Sequence, residues 1–248
     1  MKRVLIVGAA LFALAGCSTG EVKLGVDVAP MKIASDALPS ETSPSDLNIT
    51  RVRLLVAHAK IGYAGGRGCM SGGEEGTDTG PYVVDLTEEE IANGAHREFD
   101  LGELPSGTYG GAEIEIEPLE ADQDASDAVF ADFQKSGASV LIDGTYGREQ
   151  FSFAGRWLAE QGTDGEVEVD ASKPVSIAMT VDSSSWFKDA NAAVLDPTDV
   201  AQHDALSVAI CKTLDTQPQM EAPAGPPRKG PGGGFGGKGE VHCVEGTP

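Results

Sequence analysis

Apolar and polar side chains alternate with a period of two residues through most of this chain, and that period predicts strands. Over Glu21 to Val28, the apolar set Val22, Leu24, Val26 and Val28 alternates with polar or small residues, as a half-buried strand requires. Ile49 to Tyr63 predicts a longer strand. Its apolar positions change face near Leu54 and Leu55, which predicts a bulge or bend. Pro81 to Leu86 and Arg97 to Leu101 predict two more strands, with a turn at Leu104-Pro105-Ser106-Gly107. Ala112, Ile114 and Ile116 then alternate with Glu113, Glu115 and Glu117, giving a strand with one apolar and one acidic face. Exposure to solvent accounts for that acidic face. Three further strands are predicted at Ser139 to Ile142, Arg148 to Trp157 and Val175 to Asp182. In the second of these, Phe151, Phe153 and Trp157 share a face with Gly155.

Helical signals are few. Thr87 reads as a cap, with Glu90 at the capping-box position of one short turn. Ala125 to Lys135 predicts a short helix. Asp196 as cap, Pro197 at the first helical position and Asp199 in the first turn predict another, running through Leu206 to about Lys212. Residues 35–47 read as a loop rich in Ser, Asp and Pro. Residues 64–80 read as a long exposed loop rich in Gly, carrying Glu74, Glu75 and Asp78. Eight or so short strands with few helices predict a mainly β protein: an antiparallel β-sandwich with one or two short helices, spanning residues 21–213. Residues 214–248 are dominated by Pro and Gly, bury too little apolar surface to fold alone, and read as a flexible tail.

The N-terminus follows another pattern. Lys2 and Arg3 precede an apolar run from Val4 to Ala15, which is too short to span a bilayer and suits the core of a signal peptide. The run ends in Leu14-Ala15-Gly16-Cys17, which resembles the lipobox of bacterial lipoproteins. The resemblance implies a diacylglyceryl group on the Cys17 thiol, cleavage after Gly16 (a signal peptide of residues 1–16), acylation of the new amine, and a membrane attachment through that lipid. Ser18 rather than Asp after the cysteine resembles the outer-membrane sorting signal of Gram-negative lipoproteins. With the signal peptide removed, 16 basic residues face 39 acidic ones, a net charge of −23. That charge disfavours nucleic acid and anionic membrane surfaces as partners, and no nucleic-acid partner is expected.

Motifs for chemistry are sparse. There is no His-Glu-x-x-His and no Cys-x-x-Cys. His58, His96, His203 and His242 are scattered, with no ligand spacing between them. Gly16 to Gly20 matches a nucleophile elbow but straddles the cleavage site, without the strand and helix that such an elbow needs. Ser185 to Lys188 matches Ser-x-x-Lys but lacks the partner motifs. Gly232 to Lys238 has the spacing of a phosphate loop, but Gly239 stands where Ser or Thr is required. Asp189, Asn191, Asp196 and Asp199 together offer oxygen ligands of the kind calcium takes. The glycine and terminal glutamate of an EF-hand are missing, and turn and cap roles account for the same residues. Once Cys17 is lipidated, Cys69, Cys211 and Cys243 remain, an odd number. Loop closure weakly favours Cys211 with Cys243 as the bridge, ahead of either pairing with Cys69, and three unbridged thiols are the remaining alternative.

Four segments carry a wider resemblance: "VKLGVDVAP" (22–30), "ITRVRLLVAHAKI" (49–61), "FDLGELPSGTYGGAEIEIE" (99–117) and "SSSWFKDANAAVLDPTD" (183–199). With the signal and lipobox, they resemble a family of bacterial lipoproteins bearing a domain of unknown function. The resemblance covers roughly residues 21–213 and implies a transthyretin-like or immunoglobulin-like sandwich. It carries no catalytic residues over. The sequence therefore predicts a lipid-anchored envelope lipoprotein: a non-catalytic structural or interaction module without a cofactor, with a protein or glycan as partner. The rival is an extracytoplasmic hydrolase or carbohydrate-binding protein whose site assembles from dispersed Asp and Glu. Fold does not decide between them.

Overall fold

A computed structural model describes residues 18–29, 47–63, 78–120, 127–162 and 166–215. In chain order the strands are β1 (Thr19–Ala29), β2 (Leu47–Tyr63), β3 (Asp78–Thr79), β4 (Tyr82–Thr87), β5 (His96–Pro105), β6 (Gly107–Ile116), β7 (Val140–Tyr146), β8 (Glu149–Gly155), β9 (Ala159–Gly162), β10 (Val167–Val169) and β11 (Val175–Asp182). Helices α1 (Glu88–Ala92), α2 (Ala131–Ser136) and α3 (His203–Asp215) complete the set, the last two each preceded by a short 3-10 turn. The protein is mainly β, with two sheets and few short helices, as the alternation predicts. The small sheet has the order β11-β1-β5. The large one runs β10-β6-β2-β7-β8, with β3 and β4 also paired to β2, and β9 to β6. Every pairing is antiparallel except β1 with β11, which lie parallel with Val22 beside Val175 and Val28 beside Val181.

The period-two residues of both sheets meet in one core. Val22, Leu24, Val26 and Val28 of β1 and Val175, Ile177, Met179 and Val181 of β11 face the inward set of the large sheet, and all are buried. Leu206, Ile210, Cys211 and Leu214 of α3 join this core. That helix packs on β9 and on β11, one strand from each sheet, and so covers a flank of the sandwich. A second apolar cluster lies on the outer face of the large sheet, where Phe130 and Phe133 at the start of α2 cover Leu55 and Leu141. Burial of this kind contributes roughly 25 cal/mol per Å² of apolar surface removed from water. Arg53 ties α2 down further, donating to Asp132 and, at 3.1 Å, to Asp143.

Strand β2 is the element on which the site depends. Leu47 and Ile49 pack inward, then Val52, Leu54 and Val56, then Ala59 and Ile61. The inward parity therefore switches twice. The first switch is at Thr50, where the register with β7 slips between Ile49 and Arg51. The second is at Ala57, where the register with β6 slips between Val56 and His58. Each slip adds one residue to β2 against its neighbour, as a bulge does. A change of face is thus real, but it occurs twice, at Thr50 and at Ala57, rather than at Leu54 and Leu55, and Leu55 points outward, where α2 provides it with an apolar cover.

Candidate functional site

Without the extra residue at Ala57, His58 would share the inward parity of Val52, Leu54 and Val56. The bulge turns it outward instead. On that outer face His58 lies opposite Glu115 of β6, and Lys60 lies opposite Glu113 on one side and Asp78 of β3 on the other. Glu117 follows directly after β6. His58 Nδ1 is 2.9 Å from Asp78 Oδ1, so the ring donates there to a carboxylate that can only accept. This leaves Nε2 toward Glu117 Oε1, at 3.6 Å. Lys60 forms an ion pair with Glu115. The ligand atoms of His58, Glu115 and Glu117 all lie within 4.8 Å of one another, and all three residues are half-buried.

The electrostatics follow from that crowding. Burial pushes the Glu117 carboxyl above the ordinary glutamate value, and the neighbouring Glu115 charge pushes the same way. Burial pulls the His58 imidazolium down, but the hydrogen bond to Asp78 and the charges of Asp78, Glu115 and Glu117 outweigh it, and its net shift is upward. Lys60 is likewise raised, the carboxylates around it overcoming its burial.

The aspartates of the loop after β11 do not gather into such a group. Asp189 accepts from the backbone N–H groups of Asn191 and Ala193, which holds its carboxyl below the usual aspartate value. Asp196 accepts from the N–H and hydroxyl of Thr198. Asp199 accepts from Ala201 N–H and Gln202. These carboxylates close turns, and Asp189, Asp196 and Asp199 form no converging ligand set among the described residues. The predicted helix start shifts accordingly. Asp199, not Asp196, is the cap, and Pro197 stands in the turn before it rather than in the first helical turn. Both aspartates have a backbone N–H two residues on. Seating of Leu206, Ile210 and Leu214 in the core decides where the helix runs.

Other predicted residues fall into scaffold roles. Trp186 and Phe187, inside the Ser-x-x-Lys match, are fully buried, and Lys188 Nζ donates to the Ser184 carbonyl. His96 lies beside Glu98 at an exposed edge, and His203 packs edge-on against Phe153. Cys211 is buried and disulfide-bonded. Cys17, Cys69, Cys243 and His242 lie outside the described residues, as do the signal peptide, most of the Gly-rich loop and the tail. No helix among the described residues is long and apolar enough to cross a membrane.

Local spacing could not have revealed the His58 group, because its members come from β2 and from the end of β6, far apart in sequence. The one available signal was the acidic face of Glu113, Glu115 and Glu117, set against the His58 and Lys60 face of the neighbouring long strand. Comparison with protein-family models, with curated proteins and with solved structures gives no match for the chain.

Proposed function

We propose that this protein is a lipid-anchored module of the bacterial cell envelope, held by an acyl-modified Cys17 at the outer membrane and acting by binding rather than by catalysis. The observation that carries this reading is how soon the fold begins after the lipobox. The Ser18 carbonyl accepts from Ser106 N–H at 2.8 Å, its hydroxyl lies 3.1 Å from that of Ser106, and β1 starts at Thr19 in the middle of the small sheet. Lipid on Cys17 would therefore seat one end of the sandwich against the membrane with no linker between. That end carries the Ser106 turn and the turn from Asp170 to Lys173, whose Ala171 N–H donates to Ser106 Oγ. A hydrolase reading would want two carboxylates facing each other across a cleft, about 5 to 10 Å apart. Glu115 and Glu117 instead stand side by side on a sheet face, and Glu115 is already paired with Lys60. This favours binding.

Fractionation tests the anchor. Two or more acyl chains hold a protein stably on a bilayer, whereas one is marginal. The unsubstituted chain should sediment with membranes and release lipid-modified Cys17 on digestion. Cys17→Ala should be soluble or remain unprocessed. A cleaved Cys17→Ala protein that still sediments with membranes refutes the anchor.

A further inference from the structure

The gap between His58 Nε2 and Glu117 Oε1 is too long for a hydrogen bond. It is close to the ~3.4 Å that two ligand atoms keep across a tetrahedral metal ion with bonds of about 2.0 to 2.2 Å. We propose that His58 Nε2, Glu115 and Glu117 bind a divalent first-row transition ion, zinc among them, on the outer face of the large sheet.

Three features support the site. The first is convergence: an imidazole nitrogen from β2 and two carboxylates, one on β6 and one directly after it, bring ligand atoms within 4.8 Å of one another. The second is the orientation of the imidazole. Nδ1–H donates to Asp78, the carboxylate–histidine arrangement that fixes the tautomer and directs the other nitrogen at a metal. The third is the backbone device that creates the site. The bulge at Ala57 turns His58 out of the core parity and sets it opposite Glu115. Lys60 donates to one oxygen of Glu115, and a carboxylate has a second oxygen with which to meet an ion. Three protein ligands on a half-buried face leave a coordination position for water. One nitrogen and few oxygens suit zinc and its neighbours better than calcium or magnesium, which prefer six or more oxygens or retain their waters. This inference holds whether or not the chain is lipid-anchored.

The test uses the full chain in detergent, stripped with chelator and titrated with zinc chloride by calorimetry. Zinc should bind and should raise the melting temperature, because it stabilises only the folded site. His58→Gln and Glu117→Gln should each lose at least tenfold in affinity while melting cooperatively in chelator. Lys60→Gln, which frees Glu115, should bind zinc at least as tightly as the unsubstituted chain. Magnesium or calcium at the same concentration should leave the melting curve in place. Absence of zinc binding, or a loss of less than tenfold in either ligand variant, overturns the proposal. A readout that needs no variant is cobalt added to the unsubstituted chain. It should broaden the His58 ring resonances, and a sharp His58 signal at saturating cobalt also overturns the site.

Discussion

His58 stands opposite Glu115 because Ala57 is an extra residue in β2. The bulge has its own partner across the sheet. Gly80 lies between β3 and β4, opposite the bulge, and a Cβ built on it would come within 2.2 Å of the Ala57 carbonyl oxygen. Its φ of 146° is one that side-chain-bearing residues rarely adopt. Gly80 therefore permits the bulge, and the bulge presents His58.

Gly80→Ala should destabilise the fold by about 2 kcal/mol or more, combining backbone strain with a clash against main chain that cannot move aside as a side chain could. Denaturant unfolding monitored by tryptophan fluorescence would measure it. A change within about 0.5 kcal/mol, the range of an ordinary surface substitution, would show that the bulge does not need this glycine.

Glu90 makes part of the stability pH-dependent. Its carboxylate accepts from Thr87 N–H, from Arg97 and from the Thr87 hydroxyl, and these bonds hold its pKa down at about 2. A carboxyl whose folded pKa lies below its unfolded value stabilises the fold above the unfolded pKa, and that contribution disappears as pH falls through the folded one. Here the window runs from about pH 4.5 down to about 2. The difference in unfolding midpoint between the unsubstituted chain and Glu90→Gln should be constant above about pH 5 and shrink across that window. A difference that stays flat down to pH 2 would show that the capping bonds do not favour the charged form.

Cys211 should resist alkylation until the protein is reduced, since it is both buried and disulfide-bonded. Non-reducing peptide mapping should join its peptide to that of Cys243. This bridge closes a loop of roughly 30 residues; on the chain-entropy account it is worth roughly 3 to 4 kcal/mol with the tail ordered in the folded state and almost nothing with the tail disordered. A peptide joined to Cys69 instead would reassign the bridge, and alkylation of Cys211 without reductant would remove it.

What the sequence determined by itself was most of the strands and the core they bury. Side chains at i and i+2 share a face wherever the backbone is extended, so Val22 to Val28 and Val175 to Val181 declare their buried face locally. The Thr87 and Glu90 capping pair is equally local and stands where the pattern placed it. Strands β9 and β10 escaped because three or four residues hold too little alternation to read, and β3 because its two residues hold none. Only the tertiary structure decided which strands became neighbours. It set β1 parallel to β11, covered Leu55 with α2, placed the extra residue at Ala57 and brought His58 to Glu115 and Glu117. These are relations between distant segments. A bulge belongs to a pair of strands rather than to one, and a ligand set drawn from two strands exists only once their register is fixed by everything packed around them.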